Sequence, residues 1–241
     1  LNQLGVYNRA SSFSEEIFNQ FANITWKLGF PLYSKAKDNI VLLESLYFNS
    51  LKILTFLVIP LSVVFYFSSD YFVEILFDSD WKGMIPLIKL FSILGSISVV
   101  LIPSGIIFQS LGKPKISTKL NFYSNIFVLL IIYPLAMKFN LEGVLLSLIF
   151  GVIFITPFHY FHLKQQLNLS LFKFTNILLP PIIGSIIMAI VYYSVSTYCV
   201  NIESVLDLLF VLFIGFIAYL LFMFFLERNF GLGIKSLFEK E

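Results

Sequence analysis

Long apolar runs separated by short polar connections dominate the chain. The stretch from Trp81 to Lys119 sets the frame: its middle, residues 85–111, stays apolar for longer than the about 20 residues a helix needs to cross a bilayer. Pro86, Gly95, Pro103 and Gly105 lie inside it. A soluble helix tolerates such residues poorly, whereas neighbouring helices in a membrane can satisfy the freed backbone groups, so a bent, packed span is expected. The run leaves through Gly112-Lys113-Pro114-Lys115, a glycine stop, a proline breaker and two cations, which predicts a capped cytoplasmic end.

Residues 5–32 follow a different pattern. At helical spacing Arg9, Ser12, Glu16, Asn19, Gln20, Asn23 and Lys27 share one face, and Phe13, Ile17, Phe21, Ile24 and Leu28 occupy another. Two readings fit: an amphipathic helix on the membrane surface, or a span lining an aqueous cavity. The second is preferred, because Glu16, Asn19 and Asn23 fall near mid-length, where polar groups in a membrane face a bundle interior.

Basic loop residues Lys35 and Lys37 precede a helix starting near Ile40, whose span over residues 53–67 is interrupted by Pro60. Residues 68–82 carry Asp70, Glu74, Asp78 and Asp80 and read as an acidic external loop with interfacial aromatics. Residues 120–137 and 144–161 form two further spans around a tight turn at 138–143. Lys164 and Lys173 flank an inner loop, Pro180-Pro181 interrupts a span over 177–198, and the last span covers 208–226. Arg228, Lys235 and Lys240 follow, so the cations gather on one side, and about seven spans with a cytoplasmic C-terminus are expected. Gly231-Leu232-Gly233 reads as a flexible helix exit.

Composition agrees with this class. The 241 residues are 58% hydrophobic and 12% charged, with a mean hydropathy of +0.89, against about 25% charged residues in soluble domains. A net charge of +2 spread over short loops gives no footprint for nucleic acid. Cys199 is the single cysteine, and His159 and His162 stand apart from any metal-ligand spacing, so neither an internal disulfide nor a metal is expected. Triads and phosphate-cradling glycine loops are missing from the motif inventory, so no enzyme activity and no cofactor is expected. The chain opens on Leu1 without a signal-peptide pattern and is read as a fragment of a longer protein. What remains is intramembrane polarity. Arg9, Lys27, Lys52 and Lys89 lie in or near apolar spans, where a cation either snorkels to headgroups or finds a partner. Glu15, Glu16 and Glu74 are the candidate internal partners for Arg9 and Lys89.

Leu4-Gly5-Val6-Tyr7-Asn8-Arg9-Ala10, Phe30-Pro31-Leu32-Tyr33-Ser34, Trp81 followed by Pro86-Leu87, Gly105, and Leu111-Gly112-Lys113-Pro114 resemble, in order and spacing, the polysaccharide transporter family. Its members are lipid-linked oligosaccharide flippases for O-antigen, capsule and exopolysaccharide, in the superfamily that also holds multidrug exporters and lipid II flippases. The resemblance implies an all-α integral membrane protein, a polytopic helical bundle like the C-terminal lobe of a flippase plus two extra helices. Residues 1–163 would be the lobe lacking its first helix, 164–228 the additional helix pair and 229–241 a cytoplasmic tail. It further implies a bacterial inner membrane location and flipping of undecaprenyl-pyrophosphate-linked repeat units by alternating access. The partners implied are the bilayer, the lipid-linked oligosaccharide, a missing N-terminal lobe and glycan polymerase machinery. Arg9 is carried over from the family's motif. Lys27, Lys52 and Lys89 are cavity candidates by position, Ser12 by its place on the polar face, Asn19, Gln20 and Asn23 as donors and acceptors for sugar hydroxyls, and Glu16 as a lysine partner or coupling carboxylate. A drug exporter of the same superfamily and a non-transporting membrane scaffold are the alternatives.

Overall fold

The computed structural model describes residues 3–77, 79–167, 169–200 and 202–230. Six α-helices account for nearly all of them: α1 (Gln3–Ala36), α2 (Ile40–Leu76), α3 (Met84–Ser110), α4 (Pro114–Gln166), α5 (Leu171–Tyr198) and α6 (Val205–Phe230). All but α1 are long and apolar enough to cross a membrane. Helix α4 is two antiparallel arms that reverse at Asn140, whose φ of 52° breaks the helix. Counting both arms, the bundle has seven membrane-length segments, as expected, although α1 is too polar to qualify by hydropathy.

The expected organising stretch lies at the centre. Helix α3 packs against α1, α2 and α4, while α5 and α6 pair with each other and attach through α2. Without a hydrophobic force between helices in lipid, close approach of small residues decides such packing. Gly95 of α3 faces α1 closely: a side chain there would collide with the buried Phe18 ring. The arms of α4 meet in the same way. A β-carbon at Gly143 would strike the Leu135 carbonyl and one at Gly151 would strike Val128, while Ser124 Oγ donates to the Gly151 carbonyl at 3.1 Å.

The end of α3 follows the sequence reading closely. Gly112 takes φ 69°, its N–H bonds to the Gln109 carbonyl, and the Lys113 N–H reaches the Phe108 carbonyl at 2.8 Å, closing a Schellman cap before Pro114 opens α4. Helix α6 opens with a reciprocal cap. Ser204 N–H bonds to Asp207 Oδ2 at 3.0 Å and the Asp207 N–H bonds back to Ser204 Oγ at 3.2 Å.

Several expected boundaries are corrected. Helix α2 runs unbroken through Pro60 and continues to Leu76, so Asp70 and Glu74 stand on a helix rather than in an external loop. Pro60 has no N–H for the Phe56 carbonyl four residues earlier. The Tyr219 hydroxyl of α6 donates to that carbonyl at 2.8 Å, which lets the helix pass the proline. Helix α5 likewise begins at Leu171 and passes Pro180 and Pro181 without a break. Of the expected apolar face of α1, Ile17, Ile24 and Leu28 are exposed; the seam that packs is Ala10, Ser14, Phe18, Gly29, Tyr33 and Ala36. The Gly231-Leu232-Gly233 exit, Lys235, Lys240, and Asp78 lie outside the described residues.

Two outcomes test this packing by thermal unfolding of the intact protein in mild detergent. Tyr219→Phe is expected to cost about 1 kcal/mol, and the cost should shrink when Pro60→Ala restores the missing N–H; an equal cost in both backgrounds would show that the hydroxyl does not serve that carbonyl. Gly95→Leu is expected to destabilise by about 1–3 kcal/mol through overpacking against Phe18, partly relieved by Phe18→Ala.

Candidate functional site

Helix α1 carries seven of the nine candidate residues. Its seam against α3 is built from small residues and two aromatics, and Tyr33 near its C-terminal end donates a hydrogen bond to Ser50 of α2 at 2.7 Å. With that side held, the opposite side is presented outward. Arg9, Ser12, Glu16, Asn19, Gln20, Asn23 and Lys27 are all exposed, as one continuous polar stripe along the helix. The structure therefore brings seven of the nine candidates onto a single surface.

Within the stripe the carboxylates are occupied by neutral donors one turn away. Gln20 donates to Glu16 at 2.9 Å, and Ser11 at the border donates to Glu15 at 2.7 Å. Arg9 meets no carboxylate among the described residues; its guanidinium stands over the Phe77 ring, 5.6 Å from the centroid. A ring face holds a cation in place while leaving its N–H edges free for another acceptor. Lys27 makes no ion pair among the described residues either.

Lys52 and Lys89 lie elsewhere. Lys52 is half-buried on α2. Lys89 turns from α3 toward α2 and pairs with Asp70 at 2.7 Å, with the Tyr66 ring 5.9 Å from its ammonium. None of the three expected carboxylates is its partner: Glu74 pairs with Lys82 at 3.4 Å, and Glu15 and Glu16 take the hydroxyl and amide just described. Asp70, read from the sequence as part of an acidic external loop, was not among the expected partners because its acidic neighbours hide its place on a helix. A second missed contact is His159, expected to stand alone near a helix end. It is buried, with Nδ1 2.7 Å from Ser104 Oγ of α3 and its ring beside Phe108, and it ties the second arm of α4 to the central helix. Among the described residues, no three His, Cys, Asp or Glu side chains gather closely enough to share a metal ion.

Comparisons with known proteins bear on this arrangement. Residues 1–86, which hold α1 and α2, match a family described as polysaccharide biosynthesis protein. Over 199 residues the chain is 25% identical to the teichuronic acid biosynthesis protein TuaB of Bacillus subtilis (strain 168), covering 80% of this chain and 40% of TuaB. The fold is similar to that of the lipid II flippase MurJ in an inward closed conformation, with a TM-score of 0.76 at 19% identity over 93% of this chain and 47% of that one. The chain thus spans less than half the length of either relative. The resemblance to the polysaccharide transporter family thus stands on sequence, over residues 1–86 and in the likeness to TuaB, while the likeness to MurJ shows a shared multi-pass helical fold.

Proposed function

We propose that this chain forms one lobe of a flippase for lipid-linked oligosaccharides, with the polar stripe of α1 as a wall of the transport cavity. The observation that carries the reading is the stripe itself. Seven polar or charged residues are exposed along one side of a helix whose other side is locked against α3. At membrane depth such a surface is stable against water or a polar partner and costly against hydrocarbon. The cargo would be an undecaprenyl-pyrophosphate-linked repeat unit for O-antigen, capsule or exopolysaccharide. Arg9 and Lys27 would attract its pyrophosphate, and Asn19, Gln20 and Asn23 would exchange hydrogen bonds with sugar hydroxyls. A second lobe, supplied by a longer protein or a partner chain, would close the cavity, and rocking of the lobes in the inner membrane would alternate its access. Residues 1–163 would act as the flippase lobe, with the pair α5 and α6 as its appendage. Lys89, already neutralised by Asp70, serves the α2–α3 contact in this reading rather than the cargo.

Water access and transport test different parts of the proposal. In a Cys199→Ser background, Asn19→Cys and Asn23→Cys in the full-length protein should react with a hydrophilic maleimide, and Ile217→Cys on the apolar α6 should not. Equal protection of all three would remove the cavity. In a bacterium lacking its own oligosaccharide flippase, the full-length gene should restore surface glycan, and Arg9→Ala should lower the restored amount by about tenfold or more at matched membrane levels, the scale of one lost charge-assisted hydrogen bond. Undiminished glycan in Arg9→Ala would remove that residue from the site while leaving the transport reading in place.

A further inference from the structure

The two arms of α4 enclose a groove of about 360 Å³, lined by Tyr123, Phe127 and Leu130 of the first arm and Phe154, Phe158 and the buried Ile155 of the second. Its floor is the parallel stack of Phe127 on Phe154, with ring centroids 4.3 Å apart and 6° between planes. Both arms belong to membrane-length segments, so the groove lies at the depth of lipid tails. Tyr123, Leu130, Phe154 and Phe158 are exposed, and among the described residues α4 takes its main packing from α3 alone.

What stands at the groove's end identifies the occupant. Stepping four residues at a time along the first arm, the stripe Phe127-Tyr123 continues into Lys119 and Lys115; along the second, Phe154-Phe158 continues into His162. Lys115 and Lys119 are exposed and make no ion pair among the described residues. The one carboxylate on α4, Glu142, sits near the reversal at the opposite end. An apolar, aromatic trough that ends in two unpaired ammonium groups matches a molecule with a hydrocarbon tail and an anionic head, and each lysine near a membrane surface adds attraction for such a head.

We propose that this groove binds one acyl chain of an anionic phospholipid, with its phosphate held by Lys115 and Lys119. The site is distinct from the α1 stripe, being on a different helix that meets the bundle through α3, and it stands whether or not α1 carries cargo. A bilayer lipid is favoured over the polyprenyl cargo because the groove is lined by α4 alone, mostly by exposed residues, and shares none with the polar stripe of α1. A lipid seated there would add to the contacts that already join the two arms at Gly143 and Gly151, the Ser124 hydrogen bond and the Phe127–Phe154 stack.

The experiment uses the full-length protein with Trp26→Phe and Trp81→Phe, and Phe127→Trp as reporter, in vesicles containing brominated phosphatidylglycerol or brominated phosphatidylcholine. Leu130→Trp serves as a second reporter should the first fail to fold, and Phe213→Trp on the apolar α6 as the bulk-lipid control. The expected result is quenching in the groove that favours phosphatidylglycerol by roughly tenfold in relative affinity, no such preference at Phe213→Trp, and loss of the preference in Lys115→Gln/Lys119→Gln. Equal quenching by the two lipids would overturn the proposal, as would a preference that survives both lysine substitutions. Absence of quenching by either lipid would mean that protein covers the groove, and relief of quenching by sub-stoichiometric polyprenyl phosphate would assign it to the cargo; either result also overturns the proposal.

Discussion

Hydrocarbon offers no hydrogen-bond partner, so every backbone carbonyl in this bundle must find one within the protein. The prolines make that requirement local and visible. Pro60 orphans the Phe56 carbonyl in the middle of α2, and the partner comes from α6, through Tyr219. One of the contacts by which the pair α5 and α6 meets α2 thus falls on the carbonyl that Pro60 leaves without its helical donor. The Tyr219 ring also packs on Phe56, with centroids 5.5 Å apart, and a side chain at Gly184 of α5 would crowd that same ring. A proline that would break a soluble helix is here accommodated by a neighbouring helix, alongside the apolar contacts and the Lys173–Glu44 pair that also join α5 to α2.

The same economy governs α3. Ser62 of α2 donates to the Ser92 carbonyl at 2.8 Å, Ser104 meets His159 of α4, and Gly95 admits Phe18 of α1. Each neighbour is fixed by a hydroxyl or a missing side chain in addition to the apolar clusters that α3 shares with α1, α2 and α4. In a medium as apolar as leucine, burial alone gains little between helices, and these short-range fits decide which helix goes where. The orientation of α1 follows: once Phe18 and Gly29 are seated against α3, the polar stripe has nowhere to point but outward.

How much of this was legible in the sequence depends on which force each feature reports. Membrane-length runs and the Gly112 cap were readable because length and turn chemistry are local properties. The polar stripe of α1 was readable because its period survives in the sequence. Its packing face was not: Ile17, Ile24 and Leu28 look like core residues but are exposed, since a lipid-facing side and a buried side are both apolar and differ chiefly in residue size. Asp70 was assigned to a loop by its charge, although a carboxylate can stay on a membrane helix when a lysine such as Lys89 reaches it from the next one. The pairings of Ser104 with His159 and of Tyr219 with Phe56 join positions far apart in the chain, and no local pattern announces either.

Arg9 and Lys89 show why position alone does not identify a binding cation. Both were grouped as cations near the outer ends of apolar segments. Lys89 is answered within the bundle: Asp70 stands 2.7 Å away, and the pair is nearly neutral to anything outside. Arg9 is held by the face of Phe77, which contributes attraction without accepting a hydrogen bond from the guanidinium edge. Among the described residues its guanidinium takes no carboxylate, and the nearby carboxylates Glu15 and Glu16 are turned to Ser11 and Gln20 instead. A ring face orders a guanidinium without using its N–H donors, so in the proposed cavity Arg9 would meet an anion with little further ordering. The difference between a structural cation and an available one lies in the partner each has already taken.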